Sequence, residues 1–162
     1  MVIPVPGISR RTLLAGGTAV GTSLLLGRIP RAESSGGADG PRLKEYDIAT
    51  NGISLHVTEQ GEGPAVLFCH GFPDTSYTWR QQMKAIASAG YRAIAPDMRG
   101  YGRSSAPADA TRYTPLHTAG DLVGLLDALN IPSTIIVGHD WGASHAWNAA
   151  LMRPDRFKAV SV

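Results

Sequence analysis

Thr134-Ile135-Ile136-Val137-Gly138-His139-Asp140-Trp141-Gly142-Ala143 is the stretch that decides the fold. An apolar run, Thr134 to Val137, reads as a strand. Ala143 to Met152 reads as a helix. Between them lies a small-x-nucleophile-x-small turn, the sequence shape of a nucleophile elbow. Such a turn is tight, so the residues two places either side of its centre must be small. Gly138 and Gly142 meet that demand. The central position holds Asp140 where acyl-transfer enzymes carry Ser. A carboxylate ionises near pH 4 and needs no base to become a nucleophile. On a carbonyl it would give an awkward anhydride; on a saturated carbon with a leaving group it gives an alkyl ester. The alternative role for Asp140 is to cap the following helix.

The elements upstream fit the same architecture. Lys44 to Thr50 is predicted as a strand, Asn51-Gly52 as a hairpin turn, and Ile53 to Gln60 as the returning strand. Ala65 to Cys69 is a continuous apolar run suited to a strand buried on both faces. Thr78 to Ala89 carries Trp79, Met83, Ile86 and Ala87 at helical spacing and ends at Gly90. Tyr91 to Ala95 and Phe157 to Val162 are further strands. Pro115 to Leu129 is a helix with Leu122, Leu125, Leu126 and Leu129 on one side. A hairpin followed by alternating strands and helices predicts an α/β fold, its mainly parallel sheet covered by helices on both faces.

The totals of the 162-residue chain narrow its function. Apolar residues make up 43%, ordinary for a globular protein with a real core. The formal charge of +2 is concentrated at the N-terminus. Without residues 1–38, which hold Arg10, Arg11, Arg28, Arg31 and Glu33, the charge becomes −1, from 11 basic and 12 acidic residues. No basic stripe remains for nucleic acid. The single Cys69 excludes an internal disulfide, and no Cys/His spacing suggests a metal site. No cofactor is expected.

Residues 1–38 read as an export signal and linker, and residues 39–162 as the folded domain. Ser9-Arg10-Arg11-Thr12-Leu13-Leu14 looks like a twin-arginine motif. Leu13 to Gly27 is mildly apolar and too rich in glycine for a comfortable span of about 20 apolar residues. Gly36-Gly37-Ala38 offers small residues to a signal peptidase. The expectation is recognition by the twin-arginine machinery and a periplasmic or extracellular location, with no stable membrane span after cleavage. The alternatives are a disordered N-terminus or one that stays as a membrane anchor.

Two further motifs flank the elbow: His70-Gly71-Phe72-Pro73 after the apolar strand, and Asp97-Met98-Arg99-Gly100-Tyr101-Gly102-Arg103-Ser104 after the next. The second lacks the pattern of a phosphate loop. Its Asp97 and Arg99 are expected to pair or to bond locally and hold the loop beside the elbow. HGFPDTSYTWR, DMRGYGRSSAP, YTPLHTAGDLVGLLDAL and GHDWGASHAWNAALMRPDRFKAV together resemble the soluble epoxide hydrolases of the α/β-hydrolase fold, over roughly Arg42 to Val162. The resemblance implies that Asp140 is the nucleophile that opens a small-molecule epoxide to a diol. It implies that the backbone N–H groups of Phe72 and Trp141 form an oxyanion hole, with Trp141 also lining the substrate pocket. His70, Gly71, Pro73, Gly138, His139 and Gly142 then support the two motifs.

That family also uses an acid and a histidine that follow the nucleophile, and two tyrosines on an inserted helical cap. None of the five histidines occupies a late loop: His56 falls on a hairpin strand, His117 at a helix start and His145 in the helix after the elbow, while His70 and His139 belong to the motifs. Tyr46, Tyr77, Tyr91, Tyr101 and Tyr113 all precede the elbow. The chain therefore reads as the N-terminal half of such a domain, ending at about the sixth strand, with complete turnover not expected. The nearest alternative is a haloalkane dehalogenase. That family shares Asp followed by Trp, but usually has Asn or Glu where Phe72 stands. Fluoroacetate dehalogenases share HGFP but tend to carry Arg at the place of Trp141. A non-catalytic remnant of the fold, kept for binding, is a third reading.

Overall fold

In a computed structural model, residues 41–162 are described; the export reading of residues 1–38 lies outside them. The elements are β1 (Leu43–Thr50), β2 (Ile53–Gln60), β3 (Ala65–Cys69), α1 (Arg80–Ser88), β4 (Arg92–Pro96), α2 (Pro115–Ala128), β5 (Thr134–Gly138), α3 (Trp141–Met152) and β6 (Phe157–Ser161). They build one six-stranded sheet in the order β1-β2-β4-β3-β5-β6. β1 and β2 pair antiparallel, as do β2 and β4; β4, β3, β5 and β6 run parallel.

The hairpin closes at Asn51 and Gly52, with φ of 46° and 72°. Positive φ at both central residues is what a two-residue type I′ turn needs, and Asn-Gly supplies it at least cost.

The central strands are apolar on both sides because each face meets a helix. Side chains along a strand alternate between faces. Leu67, Cys69, Ile94 and Ile136 pack with Leu122, Leu125 and Leu126 of α2 and Ala146 and Ala149 of α3. Val66, Phe68, Ala93 and Ala95 face the other way, onto Trp79 and Met83. Leu129, expected on the same buried stripe, is only partly buried. Thr114 caps α2 through the His117 N–H, and Pro115 occupies the first turn, where its missing N–H costs nothing.

Two predicted boundaries move for physical reasons. The helix expected from Thr78 begins instead as a 3-10 turn, Ser76–Trp79, before α1. The Ser76 N–H is taken by the Asp97 carboxylate at 2.8 Å, which fixes the entry to that turn. The helix expected from Ala143 starts at Trp141, directly out of the elbow. Its first turn is tied back by Gly142 N–H to His139 O (2.9 Å) and Ala143 N–H to Asp140 O (3.0 Å).

Candidate active site

Asp140 sits at the apex between β5 and α3 with φ 55° and ψ −125°. A non-glycine residue there is strained by on the order of 1–3 kcal/mol, a cost tolerated where surrounding structure over-determines the turn. Steric contacts supply that determination. A Cβ on Gly138 would lie 2.3 Å from Gly142 O, and one on Gly142 would lie 2.0 Å from Cys69 O. A Cβ on Gly71 would lie 2.5 Å from both Cβ and Oδ1 of Asp140. Both elbow glycines are thus required by close backbone approach, and the glycine of HGFP by the Asp140 side chain together with His139 O, 2.8 Å away. Replacing Gly142 with Ala is expected to cost about 1–3 kcal/mol, since the obstructing atoms are backbone carbonyls that cannot rotate away. A urea unfolding midpoint unchanged from the parent would contradict this.

The Asp140 side chain does not cap α3. Its Oδ1 instead accepts the Phe72 N–H at 2.9 Å, from a loop 68 residues earlier. The Phe72 N–H, and then the Trp141 N–H, hold the carboxyl below the ordinary aspartate value. The carboxylate is exposed, and so are the side chains of Phe72 and Trp141, at 65% and 62%. Apolar surface therefore flanks a solvent-accessible anion.

His70 holds the HGFP loop in place. It is buried, its Nε2 accepts the Met98 N–H at 2.8 Å, and its Nδ1 faces Gly71 O at 2.9 Å. A backbone N–H can only donate, so Nδ1 carries the proton and donates to Gly71 O. The ring packs edge-on against Tyr101, centroids 5.1 Å apart. His70 thus bridges the HGFP loop to the loop after β4. The Phe72–Pro73 bond is cis.

Asp97 and Arg99 do not pair with each other, contrary to one of the two expectations. Asp97 does bond locally, accepting the Arg103 N–H at 3.0 Å as well as that of Ser76. Burial raises its pKa, but these N–H donors outweigh burial and leave it lowered. Arg99 reaches α2 instead, where its Nε and Nη2 donate to Asp121 at 2.8 and 2.6 Å. Both side chains are essentially inaccessible to solvent, at 0% and 2%. Asn51 of the hairpin turn donates to Asp121 as well, at 2.8 Å. One carboxylate therefore ties the hairpin, α2 and the loop beside the elbow. Sequence reasoning missed Asp121; its signal was an acid directly preceding Leu122, on the stripe of apolar residues that α2 buries.

Among the described residues, no histidine nitrogen is hydrogen-bonded to Asp140. His56 is buried against Asp47 on the hairpin (2.8 Å), and His117 faces Thr114 (2.8 Å). His139 is exposed beside the elbow, and His145 lies half-buried in α3.

A strand, a strained acidic elbow, a helix and a facing backbone donor make up the strand–turn–helix arrangement that the α/β-hydrolase fold builds around its nucleophile position. The chain belongs to the alpha/beta hydrolase fold family, whose model matches residues 64–161. It is 88% identical over 118 residues to an epoxide hydrolase of Caballeronia sordidicola, covering 73% of this chain and 36% of that protein. It is 48% identical to epoxide hydrolase A of Mycobacterium tuberculosis, over 70% of this chain and 36% of that one. A crystal structure of an epoxide hydrolase from Vigna radiata superposes with a TM-score of 0.72 at 48% identity, covering 73% of this chain and 37% of the other. Epoxide hydrolase A from Mycobacterium thermoresistibile gives 0.72 at 46%, over 74% and 38%. The chain thus spans a little over a third of the length of these relatives.

Proposed function

We propose that this chain carries the nucleophilic half of an epoxide hydrolase, acting through an ester on Asp140. The observation that carries the reading is the Phe72 N–H on Asp140 Oδ1, at 2.9 Å. With Oδ1 held, Oδ2 is free to attack. It bonds to an oxirane carbon, the ring C–O bond breaks, and the ring oxygen takes a proton from solvent. Oδ1 is then the carbonyl oxygen of the new ester, already seated on its donor. When water adds to Cγ, negative charge develops on that same oxygen. The N–H groups of Phe72 and Trp141 are the fixed dipoles that stabilise it. Collapse of this intermediate breaks the ester bond, releases the diol and leaves one water oxygen on Asp140.

Styrene oxide is expected to add one equivalent to the 162-residue polypeptide, read by intact mass. Free diol should not accumulate, because among the described residues no histidine nitrogen is hydrogen-bonded to Asp140 to activate the water. The pH dependence follows from the lowered pKa. The ionised form attacks, and it persists to lower pH than usual. With the Asp140→Asn background subtracted, the midpoint of the fall in labelling should lie below the ordinary aspartate value of 3.8. A midpoint at or above that value would contradict the geometry.

We also propose that residues 1–38 direct export by the twin-arginine route. Retention of the chain in the cytoplasm after Arg10→Lys with Arg11→Lys supports this; unchanged export would oppose it.

A further inference from the structure

The hairpin turn at Asn51-Gly52 rests on α2, and two glycines of that helix receive it. A Cβ on Gly120 would lie 2.8 Å from Asn51 Nδ2, and one on Gly124 would lie 1.8 Å from Thr50 Oγ1. Asn51 Nδ2 donates to His117 O at 3.0 Å and to Asp121 Oδ1 at 2.8 Å. A primary amide nitrogen has two hydrogens, so both are engaged. Asp121 is the carboxylate that also holds Arg99. The seat on α2 is thus built for a donor on Asn51, because every polar group facing Nδ2 only accepts.

The same dipeptide is chemically labile. The Gly52 nitrogen can attack Asn51 Cγ. An N–C bond forms, the Cγ–Nδ2 bond breaks, and Nδ2 leaves as ammonia with the proton of the Gly52 N–H. Water then opens the five-membered imide at either carbonyl, giving aspartate or β-linked isoaspartate. Glycine obstructs this attack least, having no side chain. Both Asn51 and Gly52 are exposed, so water reaches them. The other two asparagines, Asn130 and Asn148, are followed by Ile131 and Ala149, whose side chains crowd the attacking nitrogen.

The seat holds the reaction back. Ring closure swings Cγ to the Gly52 nitrogen and expels Nδ2, so both hydrogen bonds of Nδ2 must break first. Neither product fits the seat again. Aspartate brings only acceptors at neutral pH, to a carboxylate and a carbonyl that also only accept. Isoaspartate adds a carbon to the main chain inside a two-residue turn whose register sets Thr50 opposite Ile53.

We propose that Asn51 is a site of spontaneous deamidation guarded by α2, and that its conversion is a one-way release of the hairpin from Asp121. The proposal is independent of the chemistry assigned to Asp140.

The test incubates the whole chain at mildly alkaline pH beside a synthetic peptide of residues 46–57, and follows each asparagine by peptide mapping with mass spectrometry. Asn51 should convert faster than Asn130 and Asn148. It should convert roughly 10- to 100-fold more slowly than in the peptide, the range expected when two hydrogen bonds must open first. Gly120→Ala should bring the rate toward that of the peptide. Alanine favours the helix, so this variant should fold, while its Cβ displaces the Asn51 amide from the seat. Converted chains, separated by their added negative charge, should unfold at a midpoint roughly 5 °C or more below the parent. Asn51→Asp should reproduce the midpoint of the aspartate fraction. Conversion of Asn51 no faster than that of the other two asparagines, or as fast as in the peptide, overturns the proposal. So does a Gly120→Ala rate equal to the parent's, or a converted fraction with the parent's midpoint.

Discussion

Asp140→Asn is expected to reduce covalent labelling by styrene oxide by on the order of 10³-fold or more, the scale seen when a nucleophile is removed from an assembled site. The amide keeps the shape of the side chain and keeps an oxygen for the Phe72 N–H, which now lies 2.9 Å from Oδ1. What it loses is the free anionic oxygen. Because Asp140 is exposed and does not cap α3, the substitution should leave the thermal unfolding midpoint close to that of the parent. Loss of labelling with retained stability separates chemistry from folding. Equal loss of both would mean that Asp140 serves the turn alone.

Asp121→Ala should have the largest effect on stability, about 3–5 kcal/mol, the usual result of leaving one member of a buried ion pair without its partner. Small domains are stable by only roughly 5–15 kcal/mol, so much of the cooperative fold is at risk. Arg99 would retain its charge in a buried site, and Asn51 would lose an acceptor. Replacing both members, Arg99→Met with Asp121→Leu, should recover most of the loss, since apolar pairs of similar volume often replace buried ion pairs at little cost. Chemical denaturation of the two single variants and the double variant measures this. A loss below 1 kcal/mol for Asp121→Ala would contradict the role assigned to the pair.

What could be read in the chain follows the range of the interactions. The elbow was legible because its rule is local: Gly138 and Gly142 are required by carbonyls that approach within 2.3 and 2.0 Å of where a Cβ would stand. The continuous apolar run Ala65–Cys69 was legible as a strand buried on both faces, and Leu67 and Cys69 indeed face one core while Val66 and Phe68 face the other. The placement of HGFP opposite the elbow came from family resemblance and from no local pattern, for the loop lies 68 residues away. The Arg99 partner was not legible. A guanidinium two residues from Asp97 invites a local pair, and only the packing of α2 brings Asp121 to it. The 3-10 entry to α1 was missed for a similar reason, because the Asp97 carboxylate that holds Ser76 comes 21 residues later.

The most direct test is to locate the adduct. The chain is incubated with styrene oxide at neutral pH, digested, and the modified peptide sequenced by tandem mass spectrometry, with and without hydroxylamine. A single hydroxylamine-labile ester on Asp140 is the predicted result. Modification spread over exposed carboxylates and histidines, with Asp140 no more reactive than Asp109 or Asp155, would contradict the claim that the elbow and the Phe72 N–H make this aspartate a nucleophile.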